Sequence, residues 1–131
     1  MWTKASIVTV CAILLAVTAC HDRSLGPNEP EITFAKHSFE FQGTGFSNFT
    51  KSLEYKWTNA GTTANINQTS AIDSGSAVLT ILDADSVQVY SRPLADNGTF
   101  VTSSGRAGIW VIRVTSTDLS GKLSFRVQET I

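Results

Sequence analysis

From Glu31 onward, apolar and polar residues alternate over short runs, and no stretch holds a helical period over several turns. Leu53-Glu54-Tyr55-Lys56-Trp57 is the clearest run, with three large apolar side chains on one face and two charges on the other. Ser38-Phe39-Glu40-Phe41 and Ala64-Asn65-Ile66-Asn67 alternate in the same way. Residues 77–82 (AVLTIL) are rich in β-formers, Asp83-Ala84-Asp85-Ser86 supplies a turn, and Val87-Gln88-Val89-Tyr90 returns, so 77–91 is expected to be a hairpin. Pro93 ends that strand or marks it as an edge. Asp96-Asn97-Gly98 turns into Thr99-Phe100-Val101. Residues 109–115 (IWVIRVT) and 122–128 complete the set, separated by Ser120-Gly121.

Roughly eight short strands with a turn signal about every ten residues predict an all-β fold, an antiparallel β-sandwich of the jelly-roll or Ig-like kind. A small barrel would use the same alternation. The expected core is Phe39, Phe41, Leu53, Tyr55, Trp57, Ile66, Leu79, Ile81, Val87, Val89, Phe100, Trp110, Ile112, Val114, Leu123, Phe125 and Val127. The alternation turns Tyr90 outward, near Arg92. With Ile109 and Val111, also outward, these residues form a candidate exposed binding patch.

The chain has 131 residues, 42% hydrophobic and 16% charged, with a net charge of −1. That fits one folded domain. There is no basic cluster of the kind that nucleic acid requires. Both cysteines, Cys11 and Cys20, precede the alternating body, so no disulfide staples it and the core must hold the fold alone.

The first residues differ in kind. Met1-Trp2-Thr3-Lys4 is a short positive start, and residues 5–19 follow without a charge. As a helix that run rises only about 22 Å, short of the roughly 30 Å hydrocarbon core, and reads as a secretory signal. Its end, Val17-Thr18-Ala19-Cys20, resembles the lipobox of bacterial lipoprotein signals. The resemblance implies cleavage after Ala19 and a diacylglyceryl group on the Cys20 thiol. Residues 1–19 are then a signal peptide, 20–30 a lipidated cysteine with a flexible tether containing Pro27 and Pro30, and 31–131 the β-sandwich domain. The implied address is a bacterial cell envelope, with the protein anchored to a membrane through lipid. His21 after the cysteine, rather than Asp, points to the outer membrane.

The second half, GSAVLTILDADSVQVYSRPL followed by GIWVIRVTSTDLSGKLSFRVQ, resembles the bacterial pre-peptidase C-terminal type of β-sandwich. That resemblance covers residues 75–128. It implies a fold and an association with extracellular surfaces and polymers, and it transfers no site residues.

Catalytic chemistry finds little to work with. The body holds one histidine, His37, and neither a Gly-X-Ser-X-Gly motif nor a zinc-ligand spacing. Asp83-X-Asp85 resembles part of a calcium loop but lacks its glycine and distal glutamate, so calcium is the one metal worth testing and no other cofactor is expected. Asn48, Asn67 and Asn97 each open a glycosylation triplet, as chance allows in a chain rich in Asn, Ser and Thr. The sequence is therefore expected to encode a non-enzymatic lipoprotein presenting a binding or structural module, with a polysaccharide or an envelope protein as its partner. The alternatives are an accessory subunit or inhibitor of an extracellular enzyme, and a small hydrolase.

Overall fold

The computed structural model describes residues 28–130, so the expected signal peptide (1–19) and Cys20 lie outside the described residues. Among the described residues every regular element is a strand: β1 (Glu31–Ala35), β2 (Ser38–Asn59), β3 (Ala64–Gln68), β4 (Ala71–Leu82), β5 (Gln88–Pro93), β6 (Gly98–Val101) and β7 (Gly108–Glu129). All pairings are antiparallel. The order is β1-β2-β7-β3-β6, and β4 joins β7 to β5.

β2 and β7 are each 22 residues long and pair with one another along their length. They do not run straight. At about 3.3 Å per residue, the stretch from Phe39 to Tyr55 would separate those rings by roughly 50 Å. Their centroids lie 5.5 Å apart. The β2–β7 ribbon therefore doubles back, so that its first and second halves face each other. The fold line is marked on every strand that crosses it. β2 shifts register between Gly43 and Lys51, and β4 shifts between Ile72 and Ser76. Asn48, Gly75 and Asp118 all take positive φ at this level. Bulges and left-handed residues are the usual means by which a strand turns a corner between layers.

The core fills the space inside this fold. Phe41 pairs with Phe125 across β2 and β7, and their rings stack at 5.0 Å. Trp57 pairs with Trp110 edge to face at 6.2 Å. Leu79 and Ile81 of β4, paired with Val114 and Ile112 of β7, are fully buried with them. Burial of each such side chain contributes on the order of 1.5–3 kcal/mol.

The molecule has two distinct ends. At the crease end, the Ser47 amide donates to Asn28 Oδ1 at 2.9 Å, which places the start of the described chain there. At the other end, the loops interlock through backbone bonds. Gly105 N–H reaches Thr62 O at 2.7 Å, Ser103 N–H reaches Val89 O at 2.9 Å, and Ala84 N–H reaches Arg106 O at 3.3 Å.

Several expectations change. The runs 38–41 and 53–57 are halves of one bent strand, as are 109–115 and 122–128, and β1 is a strand outside the alternating runs. Val87 is 56% exposed because it sits in the turn beyond the end of the core. Leu53, Tyr55 and Phe100 are only partly buried, packed against the core from its margins. Phe46 and Leu119 fill the crease, and Leu94 is buried just past Pro93.

Candidate functional site

The sequence-derived candidates separate in the structure. Asp83 is buried and its carboxylate is consumed by the turn it opens. Oδ1 accepts the N–H groups of Asp85 and Val87, each at 2.9 Å, and Oδ2 accepts that of Arg106 at 2.9 Å. These N–H donors, with that of Arg106 foremost, hold the Asp83 carboxyl below its ordinary range. Asp85 lies near Arg106, with a carboxylate oxygen 3.7 Å from the guanidinium. No cluster of three or more metal-ligating side chains occurs among the described residues. The pair thus builds a capped hairpin turn that ties the 103–106 loop to it.

Tyr90 faces inward, contrary to the alternation, and leaves the expected patch. The reason is a bulge. Ile81 pairs with Tyr90 while Leu82 pairs with Gln88, so Val89 is an extra residue and both Val89 and Tyr90 are turned to the core. The Tyr90 hydroxyl donates to Gln68 Oε1 at 2.6 Å, and Gln68 Nε2 donates to the carbonyls of Pro93 and Asp96. Burial pushes the Tyr90 hydroxyl up to about 12. Arg92 extends over the Phe100 ring, 3.9 Å from its centroid, and lies 3.6 Å from Asp96, bridging the β5 and β6 edges. Ile109 is exposed as expected, and Val111 is half-buried beside Leu82, its partner on β4.

His37 pairs through Nδ1 with Glu129, whose other carboxylate oxygen accepts the Ala60 N–H at 2.6 Å. The Ala60 N–H, followed by His37, holds the Glu129 carboxyl below its ordinary range. This cluster clasps the end of β7 to the β1–β2 turn and to the 60–63 loop.

A different surface stands out, on the outward side of β1, β2, β7, β3 and β6. The register sets it in rows. One row runs Thr33, Glu40, Arg126, Asn67, Thr99 across all five strands. The next runs Ala35, Ser38, Gln128, Asn65, Val101. Gln42 pairs with Ser124 below them. Within the face, Glu40 and Arg126 form an ion pair at 3.2 Å. Two adjoining depressions share Asn67 and Arg126. One, of about 290 Å³, reaches Gln42 and Thr69, and the other, of about 300 Å³, reaches Asn65 and Gln128.

The alternation of residues 64–67 already placed Asn65 and Asn67 outward. The missed signal was their type, because asparagine is depleted in strands and β3 is paired on both sides. No protein-family model matches this chain, and no curated protein matches it significantly. The expected resemblance of residues 75–128 to the pre-peptidase C-terminal type has no family match behind it, and the all-β fold is the part that the structure shows.

Proposed function

We propose that the protein is a non-enzymatic lipoprotein of a bacterial envelope, anchored through Cys20, whose folded ribbon is a β-sandwich serving as a binding module. The observation that carries this reading is the lipobox-like Val17-Thr18-Ala19-Cys20 ahead of the all-β body, and the point of entry of the chain fits it. Asn28 is fixed to Ser47 at the crease end. Seven residues separate Cys20 from Asn28, so a lipid on Cys20 holds the crease within about 30 Å of the membrane. The interlocked loops at the far end are then turned away from the lipid, and both sheet faces stay accessible. Asp83 and Glu129 have structural roles, since their carboxylates accept backbone N–H groups that hold loops together.

The test is the mass of the native protein extracted from membranes. The expected species lacks residues 1–19 and carries a diacylglyceryl group on Cys20, and Cys20→Ser moves the protein out of the membrane fraction. A native chain that still begins at Met1, or that bears a free thiol at Cys20, overturns the assignment.

A second reading, in which loops contact an extracellular enzyme, is favoured by one feature. Among the described residues, the large hydrophobic side chains left exposed, Phe34, Val87, Val101 and Ile109, all lie toward the loop end.

A further inference from the structure

We infer that the outward face of β1, β2, β7, β3 and β6 binds a neutral, hydroxyl-rich glycan along the rows centred on Asn67 and Arg126. This rests on the binding-module reading and names its ligand class.

The first argument is a local rule broken without internal compensation. β3 lies between β7 and β6 and carries asparagine at both outward positions within the strand, where β-branched residues would serve it better. Such conflicts between propensity and structure gather at functional sites. The second argument is a cluster of open amides. Those of Asn65, Asn67, Gln42 and Gln128 share this one face and have no hydrogen-bond partner within the chain among the described residues, whereas elsewhere only the separate amides of Asn48 and Gln88 are open. Each amide presents a donor and an acceptor side by side, as a sugar hydroxyl does.

Charge selects the occupant. Glu40 and Arg126 face one another at 3.2 Å and cancel. An anionic polymer meets no surplus of cations there, and an apolar peptide would strip water from the amides without replacing its hydrogen bonds. A polyol satisfies them. Five strands at about 4.8 Å spacing give a row of roughly 20 Å, long enough for several sugar rings. No aromatic ring lies in the central row, so affinity comes from many hydrogen bonds, and a polymer is favoured over a monosaccharide.

The experiment is affinity electrophoresis of the full native protein in gels containing dextran, a mannan, a mixed-linkage glucan or a galactan, with alginate and heparin alongside. At least one neutral polymer is expected to retard the protein, and high salt is expected to leave that retardation in place. Asn65→Ala combined with Asn67→Ala weakens it about tenfold, as loss of one or two net hydrogen bonds implies. Thr80→Ala with Thr115→Ala, on the opposite outward face, leaves it unchanged. A urea midpoint equal to that of the parent shows that each variant is folded. Retardation by alginate or heparin alone, no retardation by any neutral polymer, or neutral binding indifferent to the asparagine pair overturns the inference. Cross-linking to an envelope protein from the same preparation distinguishes that failure from failure of the binding-module reading.

Discussion

Gly45 and Gly75 take nearly the same backbone conformation, with φ of 73° and 76°, on the two bulged strands of the crease. Alanine at either position meets the left-handed penalty of about 1–2 kcal/mol. Their surroundings differ. A Cβ at Gly45 meets nothing within 4 Å. At Gly75 it would stand 2.0 Å from the carbonyl oxygen of Asp118 and 2.6 Å from that of Thr117, both backbone atoms of β7. That contact can be relieved only by moving β4 away from β7, between the pairings of Ser74 with Ser120 and of Ser76 with Thr117. Losing roughly two ladder bonds at about 1 kcal/mol each brings the cost of Gly75→Ala to about 3–4 kcal/mol. Gly45→Ala stays at about 1–2 kcal/mol. With a urea slope of around 2 kcal/mol per molar, the midpoint falls by about 1.5–2 M for Gly75→Ala and by about 0.5–1 M for Gly45→Ala. Equilibrium unfolding followed by tryptophan fluorescence measures both, since Trp57 and Trp110 are buried. Equal losses for the two variants would refute the claim that close approach of β4 to β7 shapes the crease.

Other outcomes follow from the polar network and the core. Tyr90 titrates near 12, so it favours the folded state fully below pH 10, and that contribution is lost as the pH rises from 10 to 12. Ultraviolet titration at 295 nm, compared with Tyr90→Phe, checks this. Asp83 and Glu129 both have lowered carboxyl pKa values, so their contribution is present above the ordinary carboxylate range and is lost as the pH falls through their folded values. Asp83→Asn flattens acid unfolding and lowers the melting temperature, because an amide nitrogen cannot accept the Arg106 N–H. Leu79→Ala, at a fully buried position, costs about 2–5 kcal/mol by urea denaturation. A chelator leaves the melting temperature unchanged, since the Asp83 oxygens already accept three backbone N–H groups.

The alternation of residues determined by itself that this chain is all-β and which side of most strands turns inward. Phe39, Phe41, Trp57, Ile66, Leu79, Trp110, Ile112 and Phe125 are buried as their positions in the pattern require. A period of two reports only the local face of a pleat. It carries no information about what happens where the pleat is interrupted. Gly43-Thr44-Gly45 and Ser120-Gly121 look like strand ends, yet β2 and β7 continue through them, because each strand keeps its partner across the bend and the register shift absorbs the corner. One extra residue at Val89 reverses the phase of Tyr90 and turns an expected surface residue into a buried hydroxyl bonded to Gln68. The amide face depends on the tertiary structure for the same reason. Gln42, Asn67 and Arg126 come from distant parts of the chain, and long-range strand pairing alone sets them side by side.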